Sequence, residues 1–353
     1  MAELGKSIEA GGRRPLLDGL RGVAILLVVA SHVGLLPSEG GSVGVTVFFV
    51  LSGFLITDLL IREQAGTGTI GLGRFYFRRA YRLVPALLVF LAGAAIIAMA
   101  YGRDPSWIWN ETWPALFYVA NYADLLLTDL SMNWHTWSLA VEEHFYLAWP
   151  LILLALPVAR RIRVLGAGLV VLEVWSVFIS SSNPTWGHAA TDANLFALAT
   201  GCLVAMLNAR GVGVNVPSWA PLVGVSLIGV FAVVPGNVWF DPILVLVAAV
   251  TTWCCASRSD GVLAASPLRF LGRISYGLYL WHVPILMAAG TALGPRIAGV
   301  GLAVVVAWLS WIWVERPLLA RRDAHWSALS QRRMRPAPLP DLVPGDATPV
   351  HAG

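Results

Sequence analysis

The strongest constraint on this chain is the recurrence of apolar stretches long enough to cross a bilayer. Ten of them fall at about 22–37, 43–61, 82–101, 139–157, 163–180, 189–207, 218–235, 238–256, 275–290 and 297–315. A helix rising about 1.5 Å per residue needs about 20 apolar residues to cover a hydrocarbon core about 30 Å thick. A water-soluble fold has no use for ten such runs. The composition agrees: 57% of the 353 residues are hydrophobic and 12% charged, against about 25% charged in soluble domains. The expectation is an all-α, polytopic integral membrane helix bundle of about ten transmembrane helices. The stretch 113–128 is apolar but carries Asn121 and Asp124. It reads as a surface or re-entrant helix, with a full span as the alternative.

Charge provides a separate check. With the N-terminus cytoplasmic, 22 of the 24 basic residues fall on inside segments, and only Arg103 and Arg296 fall outside. That asymmetry is the positive-inside bias of a multi-pass protein, and it places both termini in the cytoplasm. Residues 1–15 then form a cytoplasmic tail and 16–317 the membrane domain. Residues 318–353, rich in proline and arginine, form a second cytoplasmic tail without a core-forming pattern. No cleavable signal ends the first apolar run. Of the basic residues, 23 are arginine and one is Lys6. With abundant Ala, Gly and Val this suits a GC-rich bacterial genome, hence a bacterial cytoplasmic membrane. Cys202, Cys254 and Cys255 lie in apolar runs without metal-ligand spacing. Neither a metal nor a nucleic-acid partner is expected.

An ionisable side chain at mid-membrane costs about 2.5–3.5 kcal/mol on insertion scales, so each asks for a reason. Arg21 and His32 lie eleven residues apart in the first run. On a helix that separation returns to within about 20° of the same face and spans about 16 Å along the axis. A snorkelling anchor and a polar packing residue are the plain alternative. Arg74, Arg78, Arg79 and Arg82 open the third run, and Arg82 shares a helical face with either Arg78 or Arg79. Guanidinium groups at a membrane surface suit phosphate, whereas topology anchoring needs nothing more than charge. The densest polar stretch is NWHTWSLAVEEHFYLAWP, where Ser138, Glu142 and Tyr146 recur every four residues beside Glu143 and His144. Two adjacent carboxylates in a spanning helix point to a polar cavity or arginine partners. Asp58 reads as a structural partner of an arginine. His282, in RISYGLYLWHVP, reads by itself as a packing or interfacial residue.

Taken together, LLDGLRGVAILLVVASH, GVTVFFVLSGFLIT, RFYFRRAYRLVP, WSLAVEEHFYLAWP, LGRISYGLYLWHVP and WVERP resemble the acyltransferase-3 family of integral-membrane O-acyltransferases. They occur in the family's order and span residues 16 to 317. The resemblance implies that the Arg-x10-His pattern falls on Arg21 and His32, with His32 the catalytic base. It puts the acyl-CoA-binding Arg-x-x-Arg pattern on Arg79 and Arg82, and Ser-Leu-x-x-Glu on Ser138, Leu139 and Glu142. Members acylate sugars of surface polymers, glycolipids or antibiotics. The chain resembles a stand-alone form, without the extracytoplasmic hydrolase-like domain that some members carry.

The resulting expectation is an enzyme that moves an acyl group, usually acetyl in this family, from acyl-CoA to a hydroxyl of a carbohydrate or glycoside. Arg21, Arg78, Arg79 and Arg82 are the candidate donor-binding residues. His32 is the candidate base, with Glu142 orienting it or holding the acceptor. Ser138, Glu143, Tyr146 and His282 are candidates for the acceptor. No permanently bound cofactor is called for. An acyl-His32 intermediate is the alternative route. From a different class, a proton-coupled secondary transporter also fits buried Glu, His and Arg, but no paired broken helices in two related halves are evident.

Overall fold

The computed structural model describes residues 14–127, 130–211, 216–234 and 240–322. Among them every regular element is helical, and each of the ten apolar runs falls on a helix. These helices are α1 (Pro15–Val33), α2 (Glu39–Thr67), α3 (Leu72–Ala100), then two short ones, α4 (Pro105–Leu116) and α5 (Ala120–Leu126). They continue with α6 (Trp137–Ala155), α7 (Arg161–Ser182), α8 (Pro184–Ala189) and α9 (Thr191–Ala209). The last four are α10 (Ala220–Val233), α11 (Phe240–Ala256), α12 (Ser266–Ala288) and α13 (Leu293–Ser310). Six helical segments, namely α1, α2, α3, α7, α8 with α9, and α13 with its extension, are long and apolar enough to cross a membrane by length and composition. Helices α10 and α11 are apolar but shorter. Helices α6 and α12 have 19 and 23 residues and carry polar groups of the candidate site.

The stretch 113–128 does not form a continuous span. Tyr118, at φ 54°, breaks it between α4, of 12 residues, and α5, of 7. A left-handed backbone in a bulky residue stops helix propagation. At the other end, the chain passes Pro317 without stopping: a π turn at Trp311–Glu315 leads into helix as far as Arg322. Irregular turns of this kind let a helix absorb a proline. Helix thus continues into the first residues of the expected 318–353 tail; its remainder, from 323, lies outside the described residues, as do residues 1–13.

Lipid-type packing holds the bundle. A Cβ on Gly53 of α2 would overlap the carbonyl of Leu198 in α9, and one on Gly201 that of Val50. Gly272 of α12 meets the Asp18 carbonyl of α1 in the same way. Small residues replace the hydrophobic drive that water would supply, by letting backbones touch. Helix α7 shows the other side of that environment. Val170, Val171, Val174 and Phe178 stand exposed along it, which is sensible only where the surrounding solvent is hydrocarbon. The chain is a multi-pass membrane protein. Asp58 pairs with Arg14 at 3.1 Å and Arg62 at 3.0 Å, a structural clamp between α2 and the start of α1.

Candidate active site

A cavity of about 160 Å³ opens between α1, α2, α3, α6 and α12. The i, i+4 spacing of Ser138, Glu142 and Tyr146 puts all three on its wall, together with Glu143. Arg21 of α1 and both Arg79 and Arg82 of α3 line it as well, whereas Arg78 does not.

The three lining arginines are not equivalent. Arg79 donates from Nε (2.9 Å) and Nη2 (2.7 Å) to Glu143 Oε1, and its guanidinium lies 3.0 Å from the centre of the Tyr146 ring. Its charge is compensated by that carboxylate. Arg21 donates to the Ser275 hydroxyl at 3.1 Å, and Arg82 is exposed on the cavity wall. Ion pairs join Arg14 and Arg62 to Asp58, Arg79 to Glu143, and Arg258 to Asp260; none of these uses Arg21 or Arg82. The buried Glu315 carboxylate lies within electrostatic reach of Arg82 without closing an ion pair. Arg21 and Arg82 also feel each other's charge. Two guanidinium groups facing one cavity without an ion-pair partner have the chemistry that suits an anion.

Farther along, Glu142 accepts hydrogen bonds from Ser52 Oγ (2.7 Å) and Tyr146 OH (3.4 Å). The Ser138 and Tyr279 hydroxyls are 2.6 Å apart, and Tyr279 OH donates to the His135 carbonyl at 2.8 Å. A carbonyl only accepts, so the tyrosine hydrogen is used there and Ser138 supplies the one between them. Ser138 and Tyr279 both belong to the cavity wall; His32, His135 and His282 do not.

The far face of Tyr279 meets these histidines. Its ring centre lies 5.7 Å from that of His135 and 5.5 Å from that of His282. His282 and His32 approach edge to face at 4.9 Å, His282 and His135 at 5.4 Å, and Trp134 covers His32 at 5.6 Å. His32 Nδ1 donates to the Val28 carbonyl at 2.7 Å, so its single neutral-form hydrogen sits there and Nε2 carries a bare lone pair. His135, in the 3-10 turn Trp134–Thr136 that precedes α6, is 1% exposed. Burial and the neighbouring His32 push its pKa down to about 3, so it stays neutral.

Sequence patterning alone did not single out several of these groups. The local spacing in LGRISYGLYLWHVP assigns no role to Tyr279. His135 reads as part of an interfacial aromatic belt, yet it is buried. The reason is Glu111, itself 4% exposed. One oxygen accepts from Ser131 N (2.6 Å) and Oγ (2.9 Å), the other from Met132 N (3.0 Å) and Asn133 N (2.9 Å). This carboxylate ties the loop that carries Trp134 and His135 against α4. A glutamate within the aromatic stretch WIWNETWP was the available signal. Glu111→Gln puts an NH2 group against N–H donors, and the expected cost is about 2–3 kcal/mol. A lowered thermal unfolding midpoint of the detergent-solubilised protein measures it; an unchanged midpoint rejects the role.

Arg21 and Arg82 on the wall of a polar cavity, and the His32 imidazole near its Tyr279 side with Nδ1 tied to Val28, are the groups the site brings together. The family model described as the acyltransferase domain, that of acyltransferase-3, matches residues 14–314. The chain belongs to this family. It is 29% identical over 346 residues to the peptidoglycan O-acetyltransferase OatA of Listeria monocytogenes, covering 86% of this chain and 55% of that one. A Bacillus subtilis protein provisionally named peptidoglycan O-acetyltransferase YrhL is 28% identical over 346 residues, covering 86% and 54%. A Staphylococcus aureus protein provisionally named as an O-acetyltransferase is 29% identical over 375 residues, covering 93% and 60%. The chain thus spans little more than half the length of the relatives it matches. No solved structure gives a significant match.

Proposed function

We propose that this protein transfers an acetyl group from acetyl-CoA to a hydroxyl of a cell-surface carbohydrate, peptidoglycan being the first choice of acceptor from the names of its relatives. The observation that carries the proposal is the layout of α1, which presents Arg21 to the cavity and the bare Nε2 of His32 beyond its far end. The two are about 16 Å apart by helical rise, a separation of the same order as the pantetheine arm. In this scheme about ten helices cross a bacterial cytoplasmic membrane, with both termini and the arginine mouth on the cytoplasmic side.

The donor phosphates bind Arg21 and Arg82, while Arg79 and Glu143 hold the wall in shape. The thioester reaches the far end once the Ser138–Tyr279 hydrogen bond opens. His32 Nε2 takes the proton of the acceptor hydroxyl as that oxygen attacks the thioester carbon. A C–O bond forms, the C–S bond breaks, and the thiolate of CoA leaves with the proton returned from the imidazolium. Glu142, held by Ser52 and Tyr146, orients the imidazole or holds the acceptor from the cavity wall.

The test is incubation of the purified full-length protein with acetyl-CoA labelled in the acetyl group and peptidoglycan fragments. Label in base-labile ester linkage on the sugar is the expected result. Movement of a solute across vesicles with no labelled product would instead favour proton-coupled transport.

A further inference from the structure

His282 is fully buried on α12. Its Nδ1 lies 2.7 Å from the Tyr279 carbonyl, so that nitrogen carries the hydrogen of the neutral ring. The opposite nitrogen, Nε2, has no hydrogen-bond partner among the described residues. A buried acceptor left without a donor is costly, and native structures normally satisfy it. The three polar rings packed against it spend their hydrogens elsewhere. Tyr279 gives its hydrogen to the His135 carbonyl. His135 has Nε2 3.1 Å from the Leu280 carbonyl and so gives its hydrogen there. His32 gives its own to Val28. His32 and His282 therefore stand 4.9 Å apart in the same tautomer, both with Nδ1–H tied to a preceding turn of their own helix and both with Nε2 bare.

Such a pair asks for hydrogens. A carboxylate or phosphate oxygen has none to offer, whereas a polyol or an N-acetylated sugar carries several donors close together. Resting on the acyl-transfer reading above, we propose that His282 Nε2 accepts a hydrogen bond from a second hydroxyl or amide N–H of the acceptor. That donor lies beside the hydroxyl that His32 deprotonates. His282 is then a specificity-determining residue. By holding the neighbouring donor it selects which hydroxyl of the sugar faces His32 and the thioester.

The experiment uses the full-length protein in detergent, labelled acetyl-CoA and a soluble N-acetylated disaccharide fragment of peptidoglycan. Wild type, His282→Ala and His282→Gln are compared, with thermal unfolding recorded for each. His282→Ala is expected to raise the acceptor KM about tenfold and to leave the acetyl-CoA KM within about twofold. Its product, read by NMR, should contain more than one positional isomer. Gln keeps an acceptor oxygen and should recover part of both effects. If the variants fail to fold, the wild type still decides. Acceptor analogues that lack one donor next to the acylated hydroxyl should lose about tenfold in kcat/KM, because a site built to accept that hydrogen is left unpaired. An unchanged acceptor KM and a single product isomer in folded His282→Ala would overturn the proposal. So would full activity of the wild type on every such analogue, which would leave a buried water as the partner of Nε2. Absence of labelled product from wild type with any acceptor would overturn the parent reading, and this one with it.

Discussion

His32→Ala should lower acetyl transfer by about 10²- to 10⁴-fold, the usual contribution of a positioned general base, with the protein still folded in the membrane. The geometry separates the chemical loss from a structural one. The ring's hydrogen bond goes to the Val28 carbonyl of its own helix, a group that already belongs to the helical ladder. The ring also meets those of Trp134 and His282, and the side chain is only partly buried. Removing it opens a small gap at the end of α1 and orphans no buried charge. The acetyl-CoA KM should stay close to wild type, because Arg21 and Arg82 lie at the other end of the site. Turnover and unfolding midpoint measured on the same purified variant test both halves. A folded variant with near-normal turnover removes His32 from the chemistry, and the acyl-His32 route falls with it.

Much of this arrangement was legible before any coordinates, and what was not has definite causes. Each apolar run landed on a helix because hydrophobic length and breaker residues are local signals. The four-residue repeat of Ser138, Glu142 and Tyr146 faces one cavity for the same reason. Spacing failed where two helices share the decision. Arg78 and Arg79 are both one turn from Arg82, and only the rotation of α3 against α6 puts Arg79 on Glu143 and leaves Arg78 off the cavity wall. The pairing of His32 with His282 joins the first run to the ninth, beyond any local window. The Glu111 contact inverts an inference from composition. A loop rich in Trp and His looks interfacial, but four hydrogen bonds to one upstream carboxylate fold it inward.

The second large effect expected is on donor binding, and it divides the arginines by their partners rather than by their spacing. Arg21→Ala and Arg82→Ala should each raise the acetyl-CoA KM about 10- to 100-fold, the worth of one charge-assisted hydrogen bond to phosphate. Neither residue belongs to an ion pair among the described residues, so the loss falls on the ligand and little on the fold. Added salt should weaken donor binding in the wild type more than in either variant, since fewer charges remain to be screened. Arg79→Ala should behave differently. It leaves Glu143, whose side chain is 18% exposed, without its cation, and the expected cost is about 3 kcal/mol of stability, as for breaking a mostly buried pair. Arg78→Ala should keep the acetyl-CoA KM within about twofold. Titration of CoA into each purified variant, alongside its unfolding midpoint, distinguishes the three behaviours. Equal CoA affinity in wild type, Arg21→Ala and Arg82→Ala would place the phosphates elsewhere. The two cavity cations would then have to serve the acceptor, because at a hydrocarbon-bounded site an uncompensated guanidinium pair is too costly to keep without an anion to bind.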